Sequence, residues 1–355
     1  MSIPLNLPTE RSAAVHGRIV QLDGLRAVAI LAVLLNHAVH VPLTWAGVDI
    51  FFVLSGFLIT GILLSRKRAG GDYFSYFYRR RIFRILPAYI VALLAFGLIF
   101  GWTTFHPWPL MAFFGMNFQA LWAKHPNPLP LWSLAVEEQF YLVWPLIILL
   151  VSERVLLWLA IAAVLVTPFL RAICTPLFPG EFYIYMLTPF RADLLCAGAV
   201  MALLWKDRSP RFEQLCRTYA WIGFLFGFGA LALVQLYPPL RLASNTPSAN
   251  ALDYSLSLVG SVSLLAWALA DRSWLRRFLS SRVMRFIGEI SYTIYLIHLT
   301  LFLLIYRYFH SPWLLFVAVF ALTSLWATIS WFVMERPLIR FAARLPNRRS
   351  PSTAS

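Results

Sequence analysis

The sequence predicts an all-α fold, a polytopic integral membrane helical bundle of about ten transmembrane helices with both termini cytoplasmic. Three observations lead there. Hydrophobic residues make up 60% of the 355-residue chain and charged residues 13%, about half the charged share of a soluble domain. The apolar residues are gathered into runs long enough to cross a bilayer. The formal net charge of +15 lies in short connections between those runs, the positive-inside arrangement. Because no soluble basic face is formed, nucleic acid is excluded as a partner.

The elements follow in order. Residues 1–21 are polar and mixed in charge, with no small-residue cleavage site behind an apolar core. They read as a cytoplasmic segment, and the first span as an uncleaved anchor. Spans are expected near 23–41, 47–65, 86–104, 131–151, 154–174, 190–206, 218–237, 252–270, 288–309 and 313–334. An eleventh run, 108–122, is short and lies between His106-Pro107 and Pro126-Asn127-Pro128. If it crossed, the basic connections at 206–217 and 271–285 would lie outside. If it does not, both join the arginine-rich stretch 66–84 and the arginines of 336–349 on the inside, as the orientation rule requires. Residues 105–130 are therefore expected to form an outer cap or re-entrant element. The membrane domain covers 22–340, and 341–355 form a flexible cytoplasmic tail. Trp274 to Val283 alternates apolar and basic positions, as an interfacial anchor helix does. Cys174, Cys196 and Cys216 follow no metal spacing and form no even disulfide set.

Within these spans the polar residues sort by depth. Arg26 and His37 stand eleven residues apart in one apolar run. Eleven helical steps make three turns plus about 20°, so the two share a stripe and are separated by roughly 16 Å. Ionisable groups at such depths are costly, and function is the default reading. In this topology His37 lies about 6 Å below the outer end of its helix, and Glu137 and Glu138 lie about 9 Å deep. Asp49, Arg191 and Asp193 stand at outer helix starts. These groups either tie helices together as ion pairs or form a site. His37 is the candidate base, because a neutral imidazole takes a proton near pH 7 and a carboxylate, Asp49 or Glu137, can fix its tautomer.

Of the seven histidines, His37 and His298 lie well inside spans. His298 shares a face with Ser291 and Tyr295, so it lines the same cavity or bonds between helices. Ser55 suggests a nucleophile but lacks the flanking glycine of a nucleophile elbow; it reads better as a serine that bonds a backbone carbonyl or lets helices approach. Cys196 reads as a packing residue.

On the inner side, Arg79, Arg80, Arg81 and Arg84 fall within six residues just before the third span. Arg81 and Arg84 are i,i+3 neighbours on a helix, two guanidinium forks suited to phosphate oxygens. Anionic lipid headgroups would satisfy them equally well. Glu289 and Glu335, at inner helix ends, could position these arginines.

The pieces together resemble the acyltransferase 3 family, membrane acyltransferases that modify cell-surface polysaccharides and related acceptors. The markers are Leu22-Asp23-Gly24-Leu25-Arg26 with His37, Val48-Asp49-Ile50-Phe51-Phe52-Val53-Leu54-Ser55-Gly56, and Arg81-Ile82-Phe83-Arg84. They continue with Trp132-Ser133-Leu134-Ala135-Val136-Glu137-Glu138-Gln139-Phe140-Tyr141, Arg191-Ala192-Asp193, Gly288-Glu289-Ile290-Ser291-Tyr292 and Glu335-Arg336-Pro337. Each is weak alone; in this order they are specific, and they cover Leu22 to about Arg340.

The resemblance implies an acyl-CoA donor, acetyl-CoA first, reaching the protein from the cytoplasm. It implies a hydroxyl acceptor on a saccharide, often on the other side. Arg81 and Arg84 would hold CoA phosphates, Arg26 would line the pantetheine path, and His37 would take the acceptor's proton, with Asp49 or Glu137 acting through it. Glu138, Arg191, Asp193, Ser55 and His298 would line the acceptor pocket or serve structure. No metal and no tightly bound cofactor is expected, and the bilayer of a bacterial inner membrane is the expected surrounding. The chain ends at Ser355 without the C-terminal hydrolase-like domain of some members, which implies standalone function or a separate partner. Two rivals are a transporter or flippase, disfavoured because the halves show no repeat and the arginines crowd one end, and an intramembrane hydrolase using Ser55, His37 and Asp49.

Overall fold

The computed structural model describes residues 19–70, 72–102, 108–121, 130–178, 181–241, 244–270 and 273–345. The expected N-terminal segment therefore lies almost wholly outside the described residues, and of the tail expected at 341–355 only 341–345 are described; the last helix runs on to Arg344 there, past the boundary expected at 340. All described regular structure is helical. The helices are α1 (Gln21–Val39), α2 (Gly47–Ala69), α3 (Tyr73–Phe100), α4 (Trp108–Ala112), α5 (Leu131–Leu150), α6 (Glu153–Cys174) and α7 (Glu181–Met186). They continue as α8 (Ala192–Lys206), α9 (Pro210–Val234), α10 (Pro247–Leu269), α11 (Trp274–Leu279), α12 (Arg282–Ile305), α13 (Pro312–Ser330) and α14 (Arg336–Arg344). A π-helical turn, Trp331–Glu335, joins the last two.

The helix starts are written in the local sequence. Ser152, Ser209, Thr246, Ser281 and Ser311 each accept a hydrogen bond from the backbone N–H three residues on, opening α6, α9, α10, α12 and α13. Pro210, Pro247 and Pro312 follow three of these caps directly, where the missing N–H costs nothing. Helix α1 ends because His40 turns left-handed, at φ 56°.

Nine helices among the described residues are long and apolar enough to cross a membrane. The tenth expected span, 190–206, is shorter than anticipated. A 3-10 turn at Thr188–Phe190, with Pro189 inside it, delays the helix start. What remains is α8, of 15 residues, about 22 Å long. It packs among α2, α6 and α10. Its ends nonetheless reach the levels of the ends of α2. Arg191 pairs with Asp49 at the start of α2, while Lys206 pairs with Glu153, which also binds Arg68 near the end of α2.

As expected, 108–121 does not span. It forms only α4 and a 3-10 turn, Met116–Leu121. Tyr89 OH donates to the Met111 carbonyl at 2.8 Å, and Asn117 bonds Thr188 and Gln139 at 2.9 Å each, fixing this cap. The short helix α11 buries Leu275 and Leu279 and exposes Trp274, Arg277 and Phe278; it ends at Leu279, short of the Val283 expected.

Large apolar side chains such as Leu98, Leu142, Phe169 and Val333 face outward, because lipid rather than water is the solvent there. Inside, α1 packs on α11 and α12 at unusually short range. A Cβ on Gly24 would lie 2.1 Å from the Leu279 carbonyl oxygen, and one on Gly288 would lie 1.7 Å from that of Asp23. Only glycine fits at either contact. This approach brings the polar stripes of α1 and α12 together.

Candidate active site

A cavity opens between α1, α2, α3, α5 and α12. It gathers five residues singled out from the sequence: Arg26, Ser55, Arg81, Arg84 and Glu137. On α5 the lining residues Tyr141, Glu137 and Ser133 step along one face at four-residue intervals. They define the cavity's long direction. The arginines lie at the Tyr141 end, where the Arg81 guanidinium sits 4.9 Å from the Tyr141 ring centroid. Arg26 pairs with Asp23 at 3.4 Å. Neither Arg81 nor Arg84 makes an ion pair among the described residues. This end therefore carries a surplus of positive charge.

Midway along, Glu137 uses both carboxylate oxygens. Ser55 Oγ donates to Oε1 at 2.7 Å and Tyr141 OH to Oε2 at 3.0 Å. The far end is more apolar, with Val48, Phe51 and Phe52 opposite Tyr295. Tyr295 OH and Ser133 Oγ are hydrogen-bonded to each other across it.

Behind Tyr295 stand the two deep histidines. The His298 ring lies 5.5 Å from that of Tyr295, and the His37 ring lies 5.0 Å from His298, edge to face. His37 is half-buried and His298 fully buried. Each points Nδ1 at a carbonyl of its own helix: His37 at Val33 O, 2.8 Å away, and His298 at Tyr295 O, 2.6 Å away. A carbonyl only accepts, so Nδ1 carries the hydrogen and Nε2 keeps the lone pair. The tautomer a base needs is thus set by the helix backbone.

The carboxylates at the starts of α2 and α8 lie elsewhere. Asp49 pairs with Arg191 and accepts from Ser257 Oγ at 2.7 Å, at zero exposure. Asp193 pairs with Arg171 at 2.8 Å, also fully buried. Tyr254 lies between the two arginines, 4.6 Å from Arg191 and 5.0 Å from Arg171. The expected gathering of Asp49, Glu137, Arg191 and Asp193 around His37 is therefore divided. Glu137 joins the cavity, and the other three join Arg171 in a separate ion-pair cluster. Glu138 lies outside the cavity lining, with a buried Oε1 that lacks a hydrogen-bond partner. Glu335 sits on the π-turn and accepts from Thr293 and Ser330 at 2.7 Å each.

The geometry also separates the members of the hydrolase triad. Ser55 donates to Glu137, Asp49 pairs with Arg191, and His37 contacts His298. Ser55 and Asp49 lie about 9 Å apart along α2, six helical steps, too far to share one imidazole.

Arg171 was not read from the sequence as a site residue. Its signal was present: it lies one turn from the end of a span predicted to exit outside, where the orientation rule disfavours arginine. Tyr141 and Tyr295, present in the segments singled out from the sequence, carried no assigned role there; both line the cavity.

The family described as Acyltransferase domain matches residues 19–333. The chain belongs to the acyltransferase 3 family. Among curated relatives of this family member, a Staphylococcus aureus protein named "Putative O-acetyltransferase" is 28% identical over 93% of this chain and 58% of its own length. A Bacillus subtilis protein named "Putative peptidoglycan O-acetyltransferase" is 30% identical over 80% of this chain and 48% of its own. The peptidoglycan O-acetyltransferase OatA of Listeria monocytogenes is 30% identical over 78% and 48%. This acyltransferase 3 chain thus spans about half the length of the curated relatives it matches. No solved structure matches it. It is a multi-pass membrane protein of a family of acyltransferases.

Proposed function

We propose that this chain transfers an acyl group, acetyl first, from acyl-CoA to a hydroxyl of a cell-envelope saccharide at a bacterial inner membrane. The observation that carries the reading is the cavity itself. It joins the cationic end at Arg26, Arg81 and Arg84 to an apolar end at Tyr295, with the imidazoles directly behind. CoA has the matching shape, phosphates at one end and a thioester at the end of a long, narrow arm. Arg81 and Arg84 supply the positive charge that a diphosphate lacks in the bilayer. Arg26, bonded to Asp23, borders the arm's path. Glu137, held by Ser55 and Tyr141, shapes the middle of the passage.

His37 acts as general base. The acceptor O–H donates to the free Nε2, and the oxygen attacks the thioester carbonyl. The C–O bond forms, the C–S bond breaks, and CoA leaves as thiolate, to be neutralised by the proton His37 took up. General-base help of this kind is typically worth about 10²–10⁴ in rate. The orientation rule favours a cytoplasmic arginine end, with both termini on that side, and this supports the reading because acyl-CoA is held in that compartment. In this reading Asp49, Arg191 and Asp193 serve the architecture and touch no reacting atom.

Purified protein with labelled acetyl-CoA and a saccharide acceptor tests the reading. Label on the saccharide is the expected result. Movement of acceptor without acylation would make the chain a transporter, and release of free acetate alone would make it a hydrolase.

A further inference from the structure

The cations around the α2–α3 connection divide into those the fold uses and those it does not. Lys67 Nζ donates to the Ile148 and Val151 carbonyls at 2.6 and 2.8 Å, closing the end of α5. Arg68 pairs with Glu153 at 3.1 Å, and Arg79 donates to the Leu345 carbonyl at 3.2 Å, just past α14. Arg66 and Arg80 make no ion pair and no hydrogen bond among the described residues. Both instead lie against one phenol. The guanidinium carbon of Arg66 is 3.3 Å from the centre of the Tyr76 ring, and that of Arg80 is 4.4 Å from it. The two cations are therefore no farther apart than the sum of these distances, about 8 Å, or one Debye length at physiological salt. Arg66 and Tyr76 are half-buried and Arg80 is exposed, so the group is open to water. Two unneutralised charges gathered on one ring are a place for an anion.

We propose that Arg66 and Arg80, held on the ring of Tyr76, bind the 3′-phosphate of CoA. The inference deepens the reading of acyl-CoA as donor and rests on it. A phosphate oxygen about 2.9 Å from a guanidinium nitrogen puts phosphorus roughly 4 Å from the guanidinium carbon. One phosphate can therefore bridge two forks up to about 8 Å apart, the separation that the Tyr76 ring permits. The placement agrees. Arg80 precedes Arg84 by four residues, so the two are neighbours on α3, about 6 Å apart along its axis. Arg84 lines the cavity, and the donor reading assigns it to the diphosphate. In CoA a single ribose separates the diphosphate from the 3′-phosphate, a span of the same order as one helical turn. A donor lying along α3 would meet Arg81 and Arg84 with its diphosphate, and Arg80 and Arg66 with its phosphomonoester. The ring has a part of its own. A guanidinium resting on it has already given up much of its rotamer freedom, so less is lost when an anion binds. A lipid headgroup offers the same phosphate chemistry, and the test separates the two sources.

Isothermal titration of the full chain in detergent compares CoA with 3′-dephospho-CoA, which lacks only that phosphate, and needs neither acceptor nor turnover. Wild type should bind CoA about ten- to a hundredfold more tightly, the effect of charge-assisted phosphate contacts. Arg66→Ala and Arg80→Ala should each remove a large part of that preference by weakening CoA alone. Their unchanged affinity for 3′-dephospho-CoA would also show that they are folded. Tyr76→Phe keeps the ring and should keep the preference, whereas Tyr76→Leu should lose much of it. Equal wild-type affinity for the two ligands, a preference that survives in the Arg66→Ala, Arg80→Ala double variant, or an equal loss for both ligands would each overturn the site. Thermal midpoints in phosphatidylcholine nanodiscs with and without phosphatidylglycerol form the lipid arm. A stabilisation by the anionic lipid that the double variant loses, with its CoA preference intact, would give the pair to headgroups. A wild type that binds neither ligand would instead remove the acyl-CoA reading itself, so the two failures are distinguishable.

Discussion

Asp49 and Arg191, 142 residues apart in the chain, form an ion pair that no solvent reaches. The pair locks the start of α2 to the start of α8, and Ser257 of α10 closes the other carboxylate oxygen at 2.7 Å. Removing one member of such a pair leaves the other charge buried alone, typically costing about 3–5 kcal/mol. Asp49→Asn should therefore lower the thermal unfolding midpoint in detergent markedly. The double change Asp49→Leu with Arg191→Met should recover much of it, since an apolar replacement removes both desolvation terms. A single variant as stable as wild type would show that the pair is not structural.

Arg81→Ala and Arg84→Ala should each weaken CoA binding about ten- to a hundredfold, the effect of losing one charge-assisted phosphate contact. Arg81→Lys should recover only part, because an ammonium cannot present a fork. Isothermal titration with CoA measures this, and unchanged affinity in the double alanine variant would return both arginines to lipid headgroups.

His37→Ala should abolish acetyl transfer while leaving CoA binding nearly intact. His40→Ala, at the exposed left-handed end of α1, controls for damage to the helix and should be mild. Turnover of the His37 variant above about a tenth of wild type would place the base elsewhere, given the usual 10²–10⁴ range.

The Tyr295–Ser133 bridge closes the end of the cavity remote from the arginines, where the acyl group would lie. Tyr295→Ala should open that end and raise the preference for butyryl-CoA over acetyl-CoA by about tenfold, as expected for pocket room of one or two methylenes. Paired kcat/KM values with the two donors provide the check; an unchanged ratio would mean that chain length is set elsewhere.

Arg211 and Pro239 lie beside opposite ends of α9, and both are exposed. In a cysteine-free background, cysteine at 211 should label from the cytoplasmic side only and cysteine at 239 from the other. The reverse result would invert the orientation and place the arginine end of the cavity away from the CoA pool.

The helices were legible because apolar runs of spanning length admit few alternatives in a bilayer. The Ser-Pro and Thr-Pro starts at 209–210 and 246–247 were passed over, so that spans expected from 218 and 252 begin at Pro210 and Pro247. The shortness of α8 was not legible, since the turn around Pro189 depends on how Phe190 and Arg191 are packed. Arg26, Arg81 and Arg84 were legible as a set and line one cavity; Glu137, expected beside His37, and Ser55, expected to bond a backbone carbonyl, join them there instead. Partnerships between helices were less so: Asp49 was expected to orient His37, yet contact between helices depends on crossing geometry that no local pattern encodes. The group that does orient His37 was within reach of the sequence. The Val33 carbonyl stands four residues back on the same helix, where such a contact always lies close.

The pressed contacts at Gly24 and Gly288 have a mechanical consequence. Backbone meets backbone at both, Gly24 of α1 on Leu279 of α11 and Gly288 of α12 on Asp23 of α1, so the three helices are tied together at one end with no side chain to rearrange. Arg26, His37 and His298 all ride on these tied helices. Whatever shifts as donor and acceptor come and go, the interval between cationic anchor and imidazoles stays fixed, like two marks on a ruler. Any opening of the cavity is then expected of α3 and α5, which carry Arg81, Arg84 and Glu137.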